Sequence, residues 1–267
     1  MTSSMYSSPQ GRFVPGTFTP RPGAGTPGRM LAAQAGTELR LALRNGEQVL
    51  LTLLIPIVLL VGLTLLDLVP LPEPRVAFVV PGVLALAVMS TAFTGQAIAF
   101  GFDRRYGVIR RLAATALPRW LLVAGRLVAV LGIVAVQMVV LGVIAAVLGW
   151  RPAGAGLAWA VLLVLLGSAA FGALGILLGG TLRAEVTLAV ANVVWFVLLL
   201  AGGIVIPVAQ LPGPLAAVAS ALPSGALAEG LRTVLTTGAP PGLTPVLVLV
   251  AWAAAAGLAA TRLVKLR

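Results

Sequence analysis

Residues 76–119 read VAFVVPGVLALAVMSTAFTGQAIAFGFDRRYGVIRRLAATALPR, and the change of character inside that stretch decides the fold. Val76–Phe102 carries no charge and is longer than the about 20 residues that cross about 30 Å of hydrocarbon at about 1.5 Å per residue. Asp103, Arg104, Arg105, Arg110, Arg111 and Arg119 follow directly. Each arginine at the bilayer centre costs about 2.5–3.5 kcal/mol even on the lenient insertion scale. The apolar run therefore crosses a membrane, and the basic run is the loop that stays outside it.

The same alternation extends along the chain. Val49–Val69 (interrupted by Pro56), Val76–Phe102, Trp120–Leu148, Leu157–Gly180, Val186–Ile206 and Leu243–Leu263 are all long and apolar enough to span. Internal proline and glycine do not veto them, because neighbouring helices satisfy the freed backbone groups. Composition agrees: the 267 residues are 60% hydrophobic and 9% charged, against about 25% charged in soluble domains. The expected fold is an all-α integral membrane bundle of six spans.

Charge sets the orientation. Six spans put both termini on one side. That side then collects Arg12, Arg21, Arg29, Arg40, Arg44, the Arg104–Arg126 group, Arg183, Arg262, Lys265 and Arg267, leaving only Arg75, Arg151 and Arg232 opposite. By the positive-inside rule both termini are expected in the cytoplasm, in a cell-membrane protein. The net charge of +11 belongs to that face and points to the membrane surface, not to nucleic acid.

Three flanking segments have their own character. Residues 1–30, rich in Ser, Thr, Pro and Gly, read as a flexible cytoplasmic tail and not a cleaved leader, with the membrane domain at 31–267. Leu31–Gln48 reads as an interfacial amphipathic helix, with Leu31, Ala35, Leu39, Ala42, Leu43 and Gly46 on one face and Gln34, Glu38, Arg44 and Gln48 around the other. Pro207–Gly242 is apolar but cut by prolines into two short helical pieces, near Leu215–Leu222 and Ala226–Leu235. It reads either as a helical hairpin dipping back into the outer leaflet or as a surface loop.

Several chemistries are excluded. Cysteine and histidine are absent, which removes thiolate nucleophiles, imidazole bases and most metal sites. No G-x-x-x-x-G-K-[ST] occurs, so the sequence holds no ATP-hydrolysing P-loop; Gly23–Gly28 fits G-x-G-x-x-G only as a chance match in a Gly/Pro tail. A proton-coupled secondary transporter would place carboxylates at mid-membrane, and none is there. A non-transporting membrane scaffold is the other alternative, and catalytic or metal residues are not expected.

Within the basic loop, a helical reading puts Tyr106, Ile109, Leu112, Ala113 and Leu117 on one side, with Arg104 and Arg111 opposite and Arg105 and Arg110 on the flanks. The loop either only enforces topology or forms a surface helix that docks on a cytosolic partner. Arg126, about two turns inside the third span, is expected to snorkel to the headgroups. Gln137 and Asn192 are the amides deep in spans, able to touch a substrate but better suited to helix-to-helix hydrogen bonds. Ser168, Gly172, Gly175 and Gly179 form a small-residue stripe, for a close crossing within the chain or a dimer seam.

The order of these features resembles the permease subunits of ATP-binding-cassette exporters of the ABC-2 type, with the drug-resistance (daunorubicin-type) permeases as the nearest group. The likeness rests on Glu38-Leu39-Arg40 before a proline-bearing span, Pro81-Gly82, the loop Asp103–Arg119, Arg183…Glu185…Asn192, Gly202-Gly203…Leu211-Pro212 and Leu222-Pro223…Leu231-Arg232. Asp103 and Ala116 stand where the family more often has Glu and Pro. The resemblance implies that Asp103, Arg104, Arg105, Gly107, Arg110, Arg111 and Leu112 belong to a coupling helix seated on a separate ATPase subunit, which binds the ATP and Mg. It also implies a second permease copy or homologue, and efflux of a hydrophobic or amphipathic compound.

Overall fold

Backbone amides that cannot reach water must be bonded within their own segment, and each apolar run accordingly forms a helix. The computed structural model describes residues 25–44, 46–66, 71–113, 118–204 and 208–264. Expectations that fall on residues 1–24, Asp67, Ala116, Leu117, Pro207, Lys265 and Arg267 lie outside those residues, as do the side chains of Gln48, Ala113 and Arg119.

Among the described residues the chain is helical without strands. The elements are α1 (Pro27–Arg44), α2 (Gly46–Leu65), α3 (Arg75–Met89), a π-helical turn (Ser90–Gly95), α4 (Gln96–Arg105), α5 (Val108–Ala113), α6 (Arg119–Val147), α7 (Leu157–Thr181), α8 (Ala184–Ala201), α9 (Gly213–Ala221), α10 (Pro223–Thr237) and α11 (Leu243–Leu263). Five helices are long and apolar enough to cross a membrane: the continuous α3–π–α4 rod, α6, α7 with its leading 3₁₀ turn, α8 and α11. The first expected span is α2, apolar over Thr52–Leu65 within a helix of 20 residues.

The α3–π–α4 rod is the centre of the bundle. Val79 to Met89 are buried without interruption, and α2, α6, α7 and α10 pack around them. The π turn is tied from two sides: Trp195 Nε1 donates to Ser90 Oγ (2.9 Å) and Thr91 Oγ1 donates to Gln137 Oε1 (2.9 Å). Single π turns inside helices are frequent at functional sites.

Lipid tails are as apolar as leucine, so helices in a bilayer associate through close packing instead of water exclusion. The small-residue stripe of α7 serves this purpose inside the chain. A Cβ on Gly175 would lie 2.8 Å from Phe93 O, and one on Gly179 would collide with Ala97 O. Gly172 faces the Leu127 side chain of α6, which can shift, so that contact is less strict than the two against backbone oxygens.

The proline-cut segment forms α9 and α10. With 15 residues, about 22 Å at 1.5 Å per residue, α10 is too short to cross. Leu227, Leu231 and Val234 are nonetheless wholly buried, against α3, α7 and α11. The surface-loop alternative therefore fails for α10, which is a helix enclosed by the bundle.

Gly179→Leu is expected to lower the thermal midpoint of the detergent-solubilised protein, by an overpacking cost of about 1–3 kcal/mol. Gly62→Ala, which would meet nothing within 4 Å, is expected to leave it near wild type.

Candidate functional site

The rod ends where the charges begin. Tyr106 N donates to Phe102 O (2.9 Å) and Gly107 N to Arg104 O (3.1 Å), and Gly107 takes a φ of +69°. That left-handed turn favours glycine and terminates α4. The chain restarts as α5, so the basic stretch is two helices and not one. The expected common face of Tyr106, Ile109 and Leu112 divides accordingly. Ile109 is buried with Phe100 and Ile176, Leu112 is half-buried, and Tyr106 is 65% exposed.

Three charges at this end tie the rod to three neighbours. Arg104 Nη1 donates to Gly179 O (2.9 Å) and Leu182 O (3.4 Å) at the C-terminus of α7, where unpaired carbonyls and the helix dipole favour a cation. Arg105 pairs with Glu185 in the first turn of α8, an exposed contact that contributes little by itself. Asp103 Oδ2 lies 2.7 Å from Arg126 Nη1 of α6.

Arg126 does not snorkel. Its Nε donates to Gln96 Oε1 (2.8 Å), its guanidinium stands 5.4 Å over the Phe100 ring, and its side chain is 12% exposed. An arginine at this depth turns inward only where partners replace its hydration, and here a carboxylate, an amide oxygen and an aromatic face do so. Arg110 and Arg111 are exposed on α5, with Arg111 Nη2 donating to Tyr106 O (3.2 Å). Of the residues expected to meet a partner, Asp103 and Arg104 thus face other helices, while Arg105, Arg110 and Arg111 lie at the surface beside Tyr106.

A cavity of about 290 Å³ opens just above this junction, between α1, α2, the π turn, α4 and α6. Glu38, Thr91, Gln96, Asp103 and Arg126 form its polar wall; Leu41, Ala129, Val130 and Ile133 are among its apolar residues. Glu38 was expected on the outer side of α1, and its position is a correction. At 100° per residue it falls only about 20° from Leu31 around the helix, so it belongs to the inner face. That face packs on α6: Gln34 and Ala35 sit against Gly125, and Leu39 sits against Gly132. Gln34 Nε2 donates to Glu38 Oε1 (3.1 Å), so Gln34 also points inward, and Leu43 is 42% exposed.

The two amides behave differently. Gln137, 1% exposed, accepts from Thr91 and donates through Nε2 to Thr52 O (3.3 Å), joining α2, the π turn and α6 as a helix-to-helix link. Among the described residues Asn192 bonds no other helix: its Nδ2 donates to Leu188 O (2.8 Å) of its own turn, on an exposed face of α8. The reason is rotational, since α8 turns Thr187 and Ala191 inward and leaves Asn192 beside them on the outside. Among the described residues no group of three acidic, histidine or cysteine side chains could hold a metal.

A family model described as ABC-2 type transporter matches residues 33–236, from α1 to the end of α10, and so takes in the basic loop and every wall of the cavity. No curated protein matches the chain.

Asp103 and Arg126 are in direct contact, so their effects are expected not to add. A double-mutant cycle with Asp103→Asn and Arg126→Gln, read by thermal unfolding, is expected to give a coupling of about 1–3 kcal/mol. A coupling near zero would mean that the pair contributes nothing.

Proposed function

The chain belongs to the ABC-2 type transporter family, and on that premise we propose that it is the permease of an exporter, carrying a hydrophobic or amphipathic compound out of the cell. As a member it is the multi-pass membrane part of an ATP-binding-cassette transporter, a transport component and not itself a catalyst. The ATP and Mg are bound by a separate ATPase subunit, and two permeases, this chain with a copy or a homologue, stand over a pair of ATPases. The basic end, with both termini, faces the cytoplasm, because that is where the excess of arginine lies.

The observation that carries this reading is the junction at the end of the central rod. Tyr106, Arg110 and Arg111 are exposed on and beside α5, while the adjacent Asp103, Arg104 and Arg105 are bonded to α6, α7 and α8. A displacement applied to α5 from below would reach three other helices at once. ATP-driven closure of the ATPases would supply that displacement, and differential contact in two states would convert it into a change of access. The few charges inside the bundle support an apolar or amphipathic cargo.

The variant Arg110→Glu/Arg111→Glu tests the docking face. Both side chains are exposed, so the protein is expected to fold and melt as wild type, while recovery of the ATPase by affinity capture falls at least tenfold. Undiminished capture, with wild-type export, would remove α5 from the contact.

A further inference from the structure

The π turn separates two halves of the central rod that are held differently. Before it, Val79 to Met89 are buried without interruption among α2, α6, α7 and α10. After it come the residues of the rod that build the junction: Gln96, Phe100, Asp103, Arg104 and Arg105. The turn is tied at its start, where Ser90 accepts from Trp195 and Thr91 donates to Gln137. Toward its end the bonding is incomplete. Among the described residues, Thr94 Oγ1 within the turn, Gln96 Nε2 just past it and Thr187 Oγ1 of α8 are buried without a hydrogen-bond partner.

A π turn bonds each N–H five residues back instead of four, and so takes up one residue more than an α-helical turn. The helix beyond it has the phase of a rod one residue shorter. Reversion to α-helical bonding would rotate α4 by about 100° and advance it by about 1.5 Å relative to α3. Each place along α4 would pass to the preceding residue. Gly95 would replace Gln96 beside Arg126, Phe102 would replace Asp103, and Asp103 would replace Arg104 at the α7 carbonyls. Those three pairings therefore hold in the present register alone. Phe100 would replace Gly101, where an added Cβ already lies 3.5 Å from Ala184 Cα and Thr187 Cβ. A phenyl ring has no room there, so the change would also press α8 away from the rod.

We infer that the π turn is a register switch between the buried core of the rod and its charged end. At rest the junction pairings hold the π register. A push on α5 converts the turn to α-helix, rotates α4 and opens the contact between α4 and α8. That the push comes from an ATPase rests on the transport reading above; the existence of two registers does not.

The test uses the full chain in lipid nanodiscs and paired cysteines, which report alone because the sequence has none of its own. A disulfide needs Cβ atoms about 3.5–4.5 Å apart. Gly101→Cys/Thr187→Cys meets that condition in the present register, and Phe100→Cys/Thr187→Cys meets it only after the switch. Oxidation by iodine is read as loss of thiols that react with a maleimide-polyethylene glycol after denaturation. In the chain alone the first pair is expected to crosslink and the second to stay reduced. Ser90→Ala/Thr91→Val, which removes both ties, should raise crosslinking of the second pair severalfold. The captured ATPase with a non-hydrolysable ATP analogue should do the same and lower that of the first. Deletion of Thr94 removes the extra residue but keeps the present phase of α4. The first pair should then crosslink throughout and the second never, with ATPase capture as wild type and export reduced about tenfold. A second pair that stays reduced under both treatments, or wild-type export by the deletion chain, would overturn the proposal. The crosslinking in undeleted chains decides the matter even if the deletion chain fails to fold. Switching on removal of the ties, in a chain that captures no ATPase, would leave the two registers standing and sink the transport reading.

Discussion

A guanidinium group cannot lie unpaired in hydrocarbon, and the architecture follows from how the chain meets that constraint. Most arginines are kept at one end of the bundle. Two reach further in: Arg126 is matched by Asp103 and Gln96, while Arg232 pairs through Nη1 with Glu229 at 2.8 Å, has the Phe78 ring 5.6 Å away, and keeps a buried Nε without a partner among the described residues. Others cap helices. Arg104 closes the C-terminus of α7, and at the opposite end Arg75 donates to Leu63 O and, at 2.7 Å, to Leu66 O at the end of α2. The contacts of Arg126, Arg104 and Arg75 each join two segments, so satisfying these charges also determines which helices are neighbours; the Arg232–Glu229 pair lies within α10.

The second determinant is close approach. With no solvent to expel between helices, α7 reaches the central rod through glycines, and α1 reaches α6 through Gly125 and Gly132. These contacts put the acid of α1, the amide of α4 and the arginine of α6 around one cavity. They also bring the C-terminus of α7 within reach of Arg104. Packing and electrostatics meet at the same place, the junction below the π turn.

The six spans, the basic loop and the glycine stripe were legible because each is a local pattern: a run, a charge cluster, a spacing. The break at Gly107 was not, since a glycine within a basic stretch does not declare a positive φ until the flanking helices compete for direction. Arg126 was misread because its partners lie far off in the chain, Gln96 being 30 residues away. Snorkelling is the default only when no such partner is known. Glu38 is a different kind of miss. Its seven-residue separation from Leu31 already placed it on the inner face, and the polar character of the residue was allowed to override the angle. The burial of α10 required knowing that α3, α7 and α11 leave a slot between them.

The central claim is that the arginine-rich junction faces the cytosol, where a separate motor can push on it. The natural sequence has no cysteine, so single-cysteine variants need no altered background. Tyr106→Cys lies at the junction and Ala155→Cys at the far end of the bundle, and both positions are exposed. A membrane-impermeant maleimide should label Ala155→Cys in intact cells and Tyr106→Cys only in inverted vesicles. The reverse pattern would invert the protein in the membrane and contradict the account.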